Sequence, residues 1–534
     1  MDATHCAETR ARVAITHEKL IRGLLIWCLA VGLLTAVPAA LLAQGDVLAN
    51  RYDDARSGAY LNETMLTTAN VNVDKFGKLY SYPVDGAVYA QPLYVSGVTI
   101  NGTRRNVLYV ATMNDKVYAF DADGASTAPL WTTDFTNPAQ KVTAVPILDI
   151  ASGGNIWGNV GIESTPVIDR GAETIYLVAR TKENGAYLQR LHALDITTGL
   201  ERAGSRVTIT GAVQGTALDS TVEPGGQAIT FNPKMEQQRA ALALSNDVVL
   251  VAWCGHEDKP PYHGWIMGFN STTLARVGIF AVTRDVYEGG IWQGGRAPTL
   301  DADGNAYFAT GNAFWDGTRN FGDSLLKFSV SRAGLTLVDY FTPGNEEILN
   351  VNDDDLSGSG FTLLPGTLPG MTKPLLVGGG KEGVLYLLDP NNLGHKVKND
   401  PQIPQKIPLN GGHVMGGPVY WNSASAGPLV YNWSEDDVLV GYRLSNDKLV
   451  TPPYLQGAIR SPEHPGGSLT VSANGSATGT GIVWGSIPTI KADAKHKLTA
   501  GILRAFDAET LTQIWTSDMK AERDRVGTLI KFVP

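Results

Sequence analysis

Val117-Tyr-Ala-Phe-Asp121, Leu191-His-Ala-Leu-Asp195, Ile266-Met-Gly-Phe-Asn270, Leu325-Leu-Lys-Phe-Ser329, Leu385-Tyr-Leu-Leu-Asp389, Leu439-Val-Gly-Tyr-Arg443 and Leu503-Arg-Ala-Phe-Asp507 are seven copies of one pattern. Each is a short β-rich run that closes on an aromatic residue or Leu and then a polar residue. Their last residues lie 54 to 75 positions apart, room for four short strands and their loops. Another strand-like run stands ahead, as in Asn106–Thr112, Thr174–Arg180 and Asn305–Thr310, with turn residues such as Asn114-Asp115 between the two. Trp131 and Trp515 follow the closing Asp by eight to ten residues, on an outer strand where an indole would pack between neighbouring sheets. The reading is all-β: a β-propeller of seven to eight four-stranded blades. Phe76–Tyr82 looks like an outer strand without a blade, and Val526–Val533 like a first strand with none following. Pairing them would close the ring in an eighth blade lacking its inner strands, so the last blade is expected to be incomplete.

Composition agrees with short strands and tight turns. The chain has 59 Gly and 28 Pro, 18% charged residues and no long helical period past its N-terminus. A formal charge of −9 gives no basic footprint, so nucleic acid is excluded as a partner class. Lys19 and Arg22 precede the uncharged apolar run Gly23–Ala43, which has Pro38 and small residues near its end. Residues 1–43 therefore read as a signal peptide, and residues 44–534 as the propeller. The expected location is periplasmic or extracellular. The alternative is an uncleaved membrane anchor, since the run approaches spanning length. Trp27 stands where a lipidation signal needs a small residue ahead of Cys28. Cleavage would leave Cys254 alone, without an internal disulfide or a C-x-x-C-H haem attachment site.

The Asp-x-x-Thr-Gly turn at Asp195-Ile-Thr-Thr-Gly199, and the run from Asp507 to Trp515, resemble the repeat of the quinoprotein alcohol dehydrogenases over nearly the whole of residues 44–534. That family holds pyrroloquinoline quinone on Ca²⁺ at the ring centre. Gly289-Gly-Ile-Trp292 followed by Thr310-Gly-Asn312-Ala-Phe-Trp315 and Gly322-Asp323 is the strongest local match. The resemblance implies Trp292 as the floor under the cofactor and Asn312 as a metal ligand. Asp355, in Asn352-Asp-Asp-Asp355-Leu-Ser-Gly358, matches the catalytic base and would lie at the metal. Lys381, in Gly380-Lys381-Glu-Gly383, matches the basic residue on the quinone oxygens. Glu257, ahead of His263-Gly-Trp265, matches the metal-ligand Glu, with Glu183 in Thr181-Lys-Glu183-Asn-Gly185 as its competitor.

Each residue also has an ordinary reading: Asn312 as a turn residue, Asp353–Asp355 as a solvated acidic loop, Lys381 as a hairpin tip. Their shared order favours a site. The adjacent cysteines of many relatives are missing; the corresponding blade reads Val160-Gly-Ile-Glu163-Ser-Thr-Pro166.

His256, His263, His413 and His464 stand near Gly-rich strand starts that would open on the central channel. Loop capping is one reading and metal binding the other. Ser468 and Ser472 form no nucleophile elbow. Two functions remain in view. One is an exported scaffold that binds a small molecule, glycan or protein at its central channel or top face, as a binding propeller or a degenerate quinoprotein. The other is a pyrroloquinoline quinone- and calcium-dependent oxidoreductase acting on an alcohol or sugar, with a separate electron acceptor.

Overall fold

In the computed structural model, residues 45–462, 464–489 and 498–529 are described. The chain separates into two compact units, Met1–Asp46 and Val47–Pro534. The signal-peptide segment lies outside the described residues, among which no helix is long and apolar enough to cross a membrane.

Seven antiparallel sheets follow one another along the second unit. Their first strands are Leu93–Ile100, Val167–Asp169, Ala243–Ser245, Thr299–Leu300, Thr362–Leu364, Val419–Ser423 and Ser468–Ser472, and we number the blades 1 to 7 in that order. Six of the seven motif copies lie wholly in the third strand of their blades. In blade 5 the strand Val384–Leu388 stops one residue short of Asp389. A further three-stranded sheet, Ala212–Thr230 in outline, leaves the ring between blades 2 and 3.

The core lies between blades rather than within them. Leu177 and Leu194 of blade 2 pack with Val107 and Val117 of blade 1. Val178 and Leu191 on the opposite face of blade 2 pack with Val251 and Met267 of blade 3. This follows from the period of two in a strand, which gives each blade two apolar faces. Trp131 ties blade 1 to blade 2 as expected, its Nε1 donating to Ile196 O at 3.0 Å.

Blades 7 and 1 meet differently. Leu66, Val71 and Phe76 cover Trp484 and Trp515 of blade 7, while Tyr82, Val84 and Val88 cover Tyr118 and Phe120 of blade 1. Phe76–Tyr82 forms no strand, and Thr528–Leu529 pairs with Thr499–Ala500 of blade 7. The two chain ends therefore do not pair with each other among the described residues, and one irregular segment seals both faces where an eighth blade was expected.

Residues 47–60 run past the inner strands of nearly every blade. Tyr94 N–H donates to Val47 O, Ile168 to Leu48, Leu300 to Asp54, Leu363 to Ala55, Tyr420 to Ser57 and Val471 to Gly58, all at 2.8 to 3.0 Å. Ala59–Tyr60 then adds a parallel strand to blade 7. Two buried arginines fix this segment. Arg56 donates from Nε to Pro298 O at 2.9 Å and from one terminal nitrogen to Asn50 O and Asp53 O. Arg296 reaches back to Arg56 O at 2.8 Å and to Thr362 Oγ1 at 2.7 Å.

Replacing Arg56 with Met keeps the aliphatic stem but strands three buried carbonyls. We expect a loss of about 3 kcal/mol in urea unfolding with catalogue-like secondary structure retained by circular dichroism; a loss under about 0.5 kcal/mol would contradict the bracing role.

Candidate functional site

Loops of blades 4 and 5 bring together Asn312, Asp353, Asp355 and Lys381. Asn312 follows the inner hairpin strand Ala306–Ala309 of blade 4, Asp353 and Asp355 lie in the connection to blade 5, and Lys381 sits in the tight turn between Leu375–Gly379 and Val384–Leu388. The Asn312 N–H donates to Asp355 Oδ1 at 2.9 Å, and its amide nitrogen donates to Asp353 Oδ1 at 2.8 Å. Lys381 Nζ lies 2.5 Å from Asp355 Oδ2 and 2.9 Å from Asp353 Oδ1. A glycine permits this approach: a Cβ on Gly311 would run into Asp355 Oδ1.

Lys381 is buried, which by itself would lower its pKa. The two carboxylates outweigh that and hold the ammonium charged, above the usual lysine range. Asn312 Oδ1 is buried and has no hydrogen-bond partner. An acceptor left open beside a carboxylate is a donor set suited to a hard cation, which takes oxygen ligands.

Trp292 starts the turn Gln293–Gly295 and borders the same centre, in a cavity of only about 30 Å³ shared with Cys254, Tyr262, Asp355 and Lys381. Its ring packs against the apolar cluster of Ile147, Ile150 and Ile156 in the loop of blade 2. A fused tricyclic cofactor needs a cavity of the ordinary ligand class, about 300 Å³ or more. Trp292 also lines a cavity of about 300 Å³ with Arg51, Tyr89, Arg239, Arg296 and Met415, but Asn312, Asp355 and Lys381 do not border it. The oxygen donors therefore fit the family's cation, whereas the space between Trp292 and the Asp355–Lys381 pair does not fit its quinone.

Glu257 borders this cavity too, but its carboxylate is engaged by the loop of blade 2. Oε2 accepts the Ser152 N–H at 2.8 Å and the Ser152 hydroxyl, and Oε1 accepts the Gly154 N–H at 2.7 Å. Burial would raise its pKa, yet these bonds bring it below the usual range. The competitor Glu183 pairs instead with Arg190 and Thr181, and it lines none of these cavities.

A larger cavity of about 430 Å³ opens over the cluster. Glu257, Asp258, Asp353, Asp354, Lys381 and two of the four histidines, His413 and His464, line it. The other two do not join them. His256 is buried against Arg180, and His263 is buried between Thr283 and Asp219.

Sequence reasoning singled out neither Asp353 as a partner of Asn312 and Lys381 nor the buried ion pair Glu163 and Arg239, 3.8 Å apart. Asp353 gave no signal beyond its acidic neighbours. Glu163 stood in the segment aligned with the missing cysteines.

No family model matches the chain, and no curated protein matches it. Among solved structures, the chain resembles the quinohemoprotein alcohol dehydrogenase of Comamonas testosteroni at TM-score 0.55 and 14% identity, over 91% of this chain and 74% of that one. It resembles a quinohemoprotein alcohol dehydrogenase of Pseudomonas putida HK5 at TM-score 0.51 and 14% identity, over 89% and 72%. Likeness at this identity is one of fold.

Burial pushes the Glu163 carboxyl up to about 7, opposed by Arg239 and Gln237. Between pH 4.5 and 7 the folded chain holds a proton that the unfolded chain has released, so Glu163 withdraws stability as pH rises through that window. The Glu163→Gln variant should gain stability relative to the parent at pH 8 and gain little at pH 4; equal effects at both pH values in urea titrations would contradict it.

Proposed function

For a chain with the β-propeller fold of the quinoprotein alcohol dehydrogenases, we propose a binding role: an exported propeller, degenerate at its cofactor seat, that takes a polyhydroxylated ligand such as a sugar or glycan end. The observation that carries this is the contrast between the 30 Å³ space that Trp292 shares with Asp355 and Lys381 and the 430 Å³ polar cavity over that cluster. Carboxylates of Asp258, Asp353 and Asp354 offer acceptors to ligand hydroxyls, and Lys381 offers donors. Lys381 is the anchor of that wall, since its two ion pairs hold it in place before a ligand arrives. Acids outnumber bases along the cavity, which disfavours a polyanionic ligand. The apolar run Gly23–Ala43 supports export to the periplasm or the exterior, with an uncleaved anchor as the other form.

The unpartnered Asn312 Oδ1 favours a second reading, a calcium- and pyrroloquinoline quinone-dependent oxidoreductase of alcohols or sugars that passes electrons to a separate acceptor. Asn312 and Asp355 would then hold the cation. The quinone would have to lie between Trp292 and Lys381, where the space of about 30 Å³ does not admit it.

Calorimetry of the purified chain separates the two. We expect no saturable heat with pyrroloquinoline quinone plus Ca²⁺, and saturable heat with at least one member of an aldose and oligosaccharide panel that falls tenfold or more in Asp353→Asn. Saturable cofactor binding that disappears in Asp355→Ala and in Asn312→Ala would replace the first reading with the second.

A further inference from the structure

Two glycine-rich connections, from blade 5 to blade 6 and from blade 6 to blade 7, converge with a turn of blade 6 at the rim of the larger cavity. His413 lies in the connection from blade 5 to blade 6, Glu435 in the turn between Gly427–Asn432 and Val438–Ser445, and His464 in the connection to blade 7. His413 Nδ1 stands 3.1 Å from Glu435 Oε2, and His464 Nδ1 stands 2.5 Å from Glu435 Oε1. Ligand-type atoms of all three residues fall within 4.8 Å of one another.

The backbone is built to hold them there. The Gly412 N–H donates to Glu435 O at 2.8 Å, the Glu435 N–H donates to His413 O at 3.1 Å, and the Gly467 N–H donates to Trp433 O at 3.0 Å. A side chain on Gly411 would strike the Glu435 carbonyl, and one on Gly467 would strike the Trp433 ring. Both loops therefore press directly on the turn that carries Glu435.

The pairings are close but poorly directed. His413 Nδ1 and Glu435 Oε1 are buried and find no hydrogen-bond partner of acceptable angle, although charges stand within ion-pair distance. Two imidazoles and one carboxylate, with ligand-type atoms within 4.8 Å of one another, are the donor set of open zinc sites and of other divalent transition-metal sites. Ligand bonds of about 2.0 to 2.2 Å would require the donor atoms to spread to about 3.3 Å apart, a small adjustment from 2.5 and 3.1 Å.

We propose that His413, Glu435 and His464 form a site for a divalent transition metal of the zinc class, with its remaining coordination positions open to the 430 Å³ cavity. This site is separate in chemistry from the oxygen set at Asn312 and Asp355, which suits hard cations. It does not depend on whether the cavity takes a sugar. An open metal position on its wall would add a coordination point for a ligand hydroxyl or carboxylate across from Lys381.

The test uses the full chain, stripped of metal with a chelator that is then removed. Co²⁺ is titrated in while visible absorption is recorded, and Zn²⁺ is then added in competition. We expect one equivalent of Co²⁺ with ligand-field bands, displaced by Zn²⁺ and retained in a hundredfold excess of Ca²⁺. His413→Ala and His464→Ala should each weaken Zn²⁺ binding at least tenfold, with near-ultraviolet circular dichroism unchanged. Glu435→Gln, which keeps volume and polarity, should weaken it in the same direction and alter the Co²⁺ bands. No saturable Co²⁺ or Zn²⁺ binding, displacement by Ca²⁺, or unchanged affinity in both histidine variants would overturn the proposal. Should either alanine variant fail to fold, His413→Asn and His464→Gln carry the same readout.

Discussion

Inner-strand amides of six blades hydrogen-bond to carbonyls of the single segment 47–60, and the remainder of the ring is organised around that bonding. An inner strand of a propeller blade is a sheet edge, and each such edge presents unpaired N–H groups toward the centre. Water could satisfy them in an open channel. Here main chain does so instead; Arg56 and Arg296 donate to the segment's own carbonyls at Asn50, Asp53 and Arg56, and Arg51 donates outward to Gly416 O. Burying guanidinium groups is costly, and desolvation lowers the pKa of Arg296 well below its usual value, with Arg51 and Arg56 adding to the effect. Hydrogen bonds to several acceptors offset that cost, because five donors on one planar group can meet more than one acceptor at once, as Arg296 does at Gly360 O, Arg56 O and Thr362 Oγ1.

This arrangement decides where chemistry can occur. Backbone and arginine run along the axis, and the cavity of about 300 Å³ left beside them is lined by Arg51, Tyr89, Arg239, Trp292, Arg296 and Met415, apart from Asn312, Asp355 and Lys381. Polar side chains that can meet solvent are displaced to the loops above it. There the turns of blades 4 and 5 and the connection between them carry Asn312, Lys381 and Asp355, and the loops of blades 5 to 7 carry His413, Glu435 and His464. The loop of blade 2 packs Ile156 and its neighbours toward Trp292 and caps Glu257 with Ser152 and Gly154. One loop thus fills the space at the indole and occupies the carboxylate that a cation would need.

Much of the ring was legible in sequence because a strand's period of two and a fixed polar stop recur in every blade, and the third strands carry that motif in all seven. Asn312, Asp355 and Lys381 were legible because each stands next to or near a glycine of a turn, Gly311, Gly358 and Gly380, and the structure brings these three side chains together. The axial segment was not legible. Its contacts are backbone carbonyls, which impose no pattern on residues 47–60, and its partners are up to several hundred residues away. The join of blades 7 and 1 carried two expectations, an incomplete eighth blade or a ring of seven. The strand at Phe76–Tyr82 does not form: the segment covers Trp515 and Phe120 instead, and residues 530–533 lie outside the described residues. Composition reports what a segment can bury; the hydrogen-bond partner decides whether it becomes a strand.

Glu435 was silent in sequence for a further reason. Burial alone would raise its pKa, yet His413 and His464 hold it down at about 2. A lone acid in a hairpin turn reads as a solvated residue, and only the approach of loops from two other blades gives it that environment. The same holds for Asp353, whose role comes from Asn312 in blade 4 and Lys381 in blade 5. In a ring of repeated blades the local pattern encodes the blade, while a site is made where non-equivalent loops meet. A degenerate cofactor seat therefore does not imply an idle rim: a loop can fill the old centre while neighbouring loops, under no constraint from the repeat, assemble polar groups around a new one.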